Sequence, residues 1–469
     1  MAYMDLTDQT FQKLSNIEVW EKALDICKEL AQAGARPYFV GGCVRDAIRK
    51  KQFSDFDIEV FDMSLVDVER ILASRFAVEK TGKAFCVLKI HNFPIDVSVP
   101  RIETKIGNKH RDFSVNFLEK CDVKTAASRR DFTINAIYFD VMGEKIIDEF
   151  GGLKDLELGI LRHVGEKFSE DPLRVLRGMQ FAGRFNLKAA KETLSLCKNL
   201  SMEGLSRERI FSEWEKLVLY SETPSLGLRF LKDADWLKFF PQVEALDKCP
   251  QDADQHGEGS VFEHTCMALD VFAKNKIGDR QEDLILGFAA LCHDFGKPYV
   301  VTQDAKGIHH YGHDEIGGPY AEEFLKSINA PNYLIEAVLP LVRWHMVPRF
   351  LHRDNRTDSA ILHLANDVGR MDRLIRLCYI DSMGRISKDR HNSGLIDWLE
   401  ETAKKFGVFS SQPIPIIQGR DLIRCGLSPS DQFSEILDRC FIAQLNCEFL
   451  DHTSGIAYLR KIVQNGNTL

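Results

Sequence analysis

The amino-acid sequence predicts an α+β protein, with a head of mixed helix and sheet over residues 1–150 followed by an entirely helical remainder. Two patterns carry this reading. Before residue 150, YFVGG, DFDIEVF, FCVLKI, IDVSV and NAIYFD are rich in β-branched and aromatic residues and short enough to be strands. From about residue 151, apolar residues recur at intervals of three and four, as in DPLRVLRGMQFAGRF and SRERIFSEWEKLVL, which is helical spacing. Proline and glycine in TPSLG near 223 and QPIPI near 412 punctuate the helical part. The expected organisation is a head at 1–150, a helical neck at 151–222, a helical domain at 223–400 and a helical tail at 401–469.

Totals limit the classes. With 469 residues, 44% hydrophobic and 28% charged, the chain is globular and long enough for several cores. The 12 cysteines are scattered without C-x-x-C spacing, and no secretory leader precedes them, so a reducing cytoplasm is the expected compartment. The longest apolar run, LILGFAALC at 284–292, is far below the roughly 20 residues of a membrane span. A net charge of -8 argues against a wholly basic nucleic-acid-coating protein but permits a local basic groove.

Chemistry first appears in FVGGCVRDAIRKKQFSDFDIEVF at 39–61. Side chains two apart on a strand project to one side, so Asp55 and Asp57 aim two carboxylates together while Phe56 turns away. Such hard oxygen donors suit Mg2+, which serves in-line phosphoryl displacement. Gly41 and Gly42 let backbone N–H groups approach a polyphosphate, and Arg45 adds a forked donor. D-x-D or G-G alone is common on ordinary strand ends and turns. Their order within one strand-helix-strand unit, followed by RRDFTINAIYFD at 129–140 and EDPLRVLRGMQFAGRF at 170–185, is far more specific.

The ordered set GGCVRD, DFD, RRDFTINA and EDPLRVLR resembles the class II tRNA nucleotidyltransferase (CCA-adding enzyme) and poly(A) polymerase family over roughly the first 220 residues. The resemblance implies a head of the polymerase-β type with a mixed sheet and Asp55 and Asp57 as Mg2+ ligands. Gly41, Gly42, Arg45, Arg129 and Arg130 would meet the triphosphate of CTP or ATP, and Asp131 would lie near the ribose. Asp96 is the candidate third carboxylate. In the neck, Asp171 and Arg174 stand three apart, helical neighbours able to face one base edge. Cytosine and adenine both pair an exocyclic amine with a ring-nitrogen acceptor, so an acceptor beside a donor selects C and A over U and G. The family assigns base choice to this pair, with Arg177 one step further; Gln180 stands where some relatives carry another arginine.

Nine of the fourteen histidines fall between His256 and His363. FEHT, LCHDFGKP, HHYGHDEIG, RWHM and LCYIDS place His and Asp at the ends of apolar helices, and imidazole with carboxylate suits a divalent cation. This order resembles the HD phosphohydrolase superfamily, which implies His264, His293, Asp294 and Asp381 as ligands of a first metal. His313 and His345 would line a second metal or the substrate, and an activated water would attack a phosphoester. Some CCA-adding enzymes carry this domain after the neck, and the tail motif GRDLIRCGL also resembles theirs. The expected partners are therefore the tRNA 3' end, CTP and ATP, with no membrane. A poly(A) polymerase, a partial CC- or A-adding enzyme, and a phosphodiesterase or phosphatase acting on 2',3'-cyclic or 2'-phosphates share parts of this pattern. A poly(A) polymerase is expected to carry a basic extension that is not visible in this sequence, and the element separating a partial CC- or A-adding enzyme from a full CCA-adding enzyme is expected to be a loop within 101–124.

Overall fold

The computed structural model describes residues 6–81, 87–105, 113–117, 121–252, 257–305, 307–354, 357–386, 393–429 and 432–466. Two compact units emerge: residues 1–217 with 226–239, and residues 218–225 with 240–469.

The first unit is built on a seven-stranded mixed sheet. Its strands are β1 (Arg36–Val40), β2 (Phe56–Phe61), β3 (Val78–Thr81), β4 (Val87–Ile90), β5 (Ile95–Ser98), β8 (Tyr138–Asp140) and β9 (Lys145–Ile147). A separate hairpin, β6 (Arg101–Lys105) and β7 (Phe113–Phe117), lies between β5 and β8 in the chain. The sheet order is β3-β4-β5-β2-β1-β8-β9, with β2 parallel to β5 and antiparallel to β1. Alternation along β2 sends Phe56, Ile58 and Val60, all fully buried, into one core, with Asp57 and Glu59 on the opposite face. That core is closed by the helix Ile17–Gln32, whose Asn16 side chain caps Glu18 N–H and Val19 N–H. Its buried stripe of Val19, Trp20, Ala23, Ile26, Cys27 and Leu30 follows the helical period. Phe11, Phe39 and Phe56 pack around Trp20 there, and Phe139 packs on Phe11 and Phe39. Of the loop expected to separate the activities, residues 106–112 and 118–120 lie outside the described residues.

The second unit centres on the helix Arg280–Cys292, started by Asp279, whose carboxylate accepts from Gln281 N–H and Glu282 N–H. It is buried continuously from Asp283 to Cys292, which explains the unbroken apolar run in the sequence. The helices Val261–Lys274, Asn332–Trp344 and Met371–Met383 pack against it. No helix among the described residues is long and apolar enough to cross a membrane.

Candidate nucleotide and metal sites

Eleven residues singled out in the first unit, Gly41, Gly42, Arg45, Asp55, Asp57, Arg129, Arg130, Asp131, Asp171, Arg174 and Arg177, line one polar cavity of about 800 Å³. Asp55 is exposed and immediately precedes β2, while Asp57 is half-buried within it. Burial, with Asp55 and Asp96 nearby, outweighs Arg130 and Arg45 and pushes the Asp57 carboxyl up to about 6. Asp96 stands beside Asp57 in the register of β5, with Lys89 Nζ 3.5 Å from its carboxylate, and does not line the cavity. A pair of hard oxygen donors, of which Asp57 is ionised against burial and the neighbouring carboxylates, fits a divalent cation, which would relieve both.

The turn is shaped for this carboxylate. Gly41 has φ 77° and ψ −129°, a region suited to glycine, and a Cβ there would come within 3.0 Å of Asp57 Oδ2 and 3.3 Å of Arg130 Nη1. Gly41→Ala is therefore expected to displace Asp57 and to cost about 1–3 kcal/mol of backbone strain; thermal melting and nucleotide affinity, both falling, check it. Gly42 opens the helix Gly42–Ile48, so the strand read as YFVGG stops at Val40.

Partners that sequence reasoning did not find hold the arginines. Arg45 is buried, with Nε and Nη2 donating to Asp46 and Nη1 to Asn135 Oδ1 at 2.7 Å, and its guanidinium lies 4.0 Å over Phe185. Arg130 stacks 5.5 Å over Tyr138 and lies 3.5 Å from Glu59, to which the Tyr138 hydroxyl donates. Asp131 accepts from Phe132 N–H and Asn135 Nδ2 through Oδ1, and from Arg177 Nε at 2.6 Å through Oδ2. Burial alone would raise its pKa, but Arg177 and the Asn135 hydrogen bond hold it below the usual carboxylate value.

The base-edge pair departs from the expected geometry. Asp171 is extended (φ −131°, ψ 101°) because Pro172 disfavours helix at the residue before it, and the helix begins at Leu173. Asp171 and Arg174 thus share the cavity but not a helix face. Asp171 Oδ1 accepts from Leu173 N–H, and Oδ2 from Arg209 Nη2 at 2.7 Å. Arg174 donates to the carbonyls of Lys167 and Arg129 at 2.8 and 2.7 Å. Gln180 also lines the cavity, accepting from Arg184.

In the second unit, two clusters of ligand-bearing side chains are buried: His264, His293 and Asp381, and Asp294, His313 and His345. The Nδ1 atoms of His293, His313 and His345 face backbone carbonyls of Ala290, His310 and Val342 at 2.7–2.8 Å, so those nitrogens carry the protons. Their Nε2 lone pairs then point inward. His313 Nε2 lies 3.2 Å from His345 Nε2, and His264 Nε2 lies 3.3 Å from His293 Nε2. The His313 and His345 nitrogens, both acceptors, call for a cation between them. Burial, with His313 and His293 alongside, pushes His345 down to about 3, whereas at His293 burial is outweighed by Asp294 and Asp381 and the imidazole is raised; imidazoles facing carboxylates in this way suit a metal ion. Asp381 Oδ1 lies 3.0 Å from His264 Nε2, and Asp294 Oδ1 lies 3.4 Å from His313 Nε2. Lys297 Nζ reaches Asp294 at 2.8 Å, Arg385 clamps Asp381 at 2.6 Å, and Glu258 lies 3.3 Å from His264 Nδ1. The spacing H-D-x-x-K, and an arginine one turn after Asp381, are the signals that could have found Lys297 and Arg385.

Fold and sites together define a nucleotidyltransferase head and an HD-type helical unit in one chain. Residues 37–162 match the Poly A polymerase head domain and residues 261–377 match the HD domain. The chain is 32% identical over 369 residues to the multifunctional CCA protein of Xylella fastidiosa (strain 9a5c), covering 76% of this chain and 86% of that protein. It is also 32% identical over 361 residues to the multifunctional CCA protein of Neisseria meningitidis serogroup B, covering 75% and 83%. The chain belongs to the family of the multifunctional CCA proteins. The Thermotoga maritima CCA-adding enzyme complexed with tRNA has the same fold at TM-score 0.62 and 17% identity, covering 99% of this chain and all of that one. The Bacillus stearothermophilus CCA-adding enzyme in complex with CTP matches at TM-score 0.61 and 20% identity, covering 96% and 99%.

Proposed function

We propose that the protein adds the 3'-terminal CCA to tRNA from CTP and ATP without a nucleic-acid template. The observation that carries this is the convergence of Asp55, Asp57, Asp171 and Arg174 on one cavity in a chain of this family. Asp55 and Asp57 would hold Mg2+, which supplies charge neutralisation at the triphosphate and activation of the attacking oxygen when bound. Gly41, by leaving Asp57 room, lets that carboxylate face the phosphates, and Arg130, held by Glu59 and Tyr138, presents fixed positive charge to them. The primer's 3' oxygen attacks the α-phosphorus and pyrophosphate leaves, so the protein's task is mostly positioning.

At the base edge, the exocyclic amine of cytosine or adenine replaces Arg209 as donor to Asp171, while Arg174 donates to the ring nitrogen. Asp171→Ala is expected to lower discrimination of CTP over UTP by about 10- to 100-fold, the worth of one mismatched buried polar group. Competition between labelled CTP and UTP on tRNA lacking CCA checks it. The function itself is tested by offering such tRNA CTP and ATP, separately and together, and sequencing the products. CCA only with both nucleotides is the expected result; a homopolymer of A would indicate a poly(A) polymerase.

The facing Nε2 pairs favour a second activity, metal-dependent phosphohydrolysis of 2',3'-cyclic or 2'-phosphate ends. A divalent ion held by the two clusters would supply Lewis-acid polarisation of a phosphoryl oxygen and acidify an attacking water. Lys297 and Arg385 keep Asp294 and Asp381 charged and oriented, while the backbone carbonyls at Nδ1 turn the imidazole lone pairs inward.

A further inference from the structure

Beside the two clusters runs a narrow cleft with room for about 10 Å³, lined by His345, Arg349, Cys378, Asp381, Ser382 and Leu395 among others. It touches one member of each cluster, Asp381 of the first and His345 of the second. Its charged residues are unequally provided for. Asp381 receives Nε and Nη2 of Arg385, while outside the cleft Lys297 divides its ammonium between Asp294 and Gln251. Arg349, one turn beyond His345 on the helix Val347–Arg353, makes no hydrogen bond or ion pair among the described residues. Burial, with Arg385 near it, holds the Arg349 guanidinium below its usual pKa. A largely desolvated cation whose donors go unused stores recognition energy for an anion.

We propose that Arg349 is the phosphoryl-binding residue of this centre, taking a non-bridging oxygen of an anionic phosphoester through its guanidinium fork. The inference rests on the phosphohydrolase reading and names its substrate contact. Three observations point to a phosphoryl oxygen. Arginine presents planar paired donors that match phosphate. The cleft has room for a single oxygen atom, about the size of one water, so one non-bridging oxygen can enter it while the rest of the phosphoryl group stays outside, and a nucleobase or a sugar cannot. The same cleft reaches a member of each metal-binding cluster, so an oxygen on Arg349 belongs to a group that the clusters also face.

The test uses the full chain, with divalent metal measured by mass spectrometry and inorganic phosphate as probe, its binding followed by calorimetry. Arg349→Gln is expected to weaken phosphate by about 10- to 100-fold, the loss of a charge-assisted contact. KM for 2',3'-cyclic AMP should rise by a similar factor, with kcat changed less and with metal content and nucleotide addition unchanged. Arg349→Lys keeps the charge without the fork and should recover part of the affinity; it carries the test if the glutamine variant misfolds. Equal phosphate affinity in wild type and both variants overturns the proposal, as does absence of phosphate binding by the wild type. A wild type without bound metal or hydrolysis sinks the phosphohydrolase reading instead, and phosphate binding lost with Arg349 would still uphold the anion contact.

Discussion

Asp57→Asn is expected to abolish nucleotide addition while making the metal-free protein more stable. Loss of a metal-holding carboxylate should lower addition by at least about 10³-fold, since positioning and charge neutralisation supply most of the rate. The stability gain follows from the raised acidity constant. Burial lifts the Asp57 carboxyl from an ordinary 3.8 to about 6, so between those values the folded chain retains a proton that the unfolded chain has released. Folded-state stability therefore falls as pH rises through that window and stays lower above it. Asparagine does not ionise, so the variant should match wild type below pH 4 and exceed it by about 1–3 kcal/mol above pH 6. Denaturation in EDTA across pH 4–8, paired with a CTP incorporation assay, reads both effects. A stability difference independent of pH would refute the electrostatic account, and normal addition by Asp57→Asn would refute the metal assignment.

Asp294→Ala should have the opposite signature. This carboxylate is 1% exposed and meets His293, His313 and Lys297. Burial would raise its pKa, yet His293 and Lys297 hold it well below the usual carboxylate range, so its contribution is present at neutral pH and lost under acid conditions. Truncation leaves the buried Lys297 ammonium without a counter-charge, a change that costs about 3–5 kcal/mol. Bound divalent metal and hydrolysis of cyclic phosphates should both disappear. Asp294→Asn, which keeps the shape, should lose the metal at a smaller cost in stability. Nucleotide addition should persist in it. Metal analysis, calorimetry and the two activity assays decide the matter; retention of metal by Asp294→Asn would remove Asp294 from the ligand set.

Much of both centres was legible in the chain because local periodicity and residue chemistry are written there directly. Alternation in DFDIEVF already sends Asp57 and Phe56 to opposite faces, and β2 does so. The unbroken run LILGFAALC is too short for a membrane span, and it forms the buried central helix of its unit. The three-residue spacing of Asp171 and Arg174 suggests a shared helix face, but Pro172 keeps Asp171 extended. Partners were less accessible still. Arg45 meets Asn135 and Glu59 meets Tyr138 across 90 and 79 residues, and no local rule connects such positions.

Read alone, the chain specified the chemical vocabulary: paired carboxylates after a glycine turn, an acidic and a basic residue three apart at the start of a helical stretch, and histidines ending apolar segments. Folding decided which of those groups meet, which are dehydrated and which remain unpaired. Arg45 is consumed by Asp46 and Asn135, whereas Arg349 makes no hydrogen bond or ion pair among the described residues. The division has a physical origin. Periodicity acts between neighbours two to four residues apart, while desolvation and charge pairing arise only after distant segments have closed on one another.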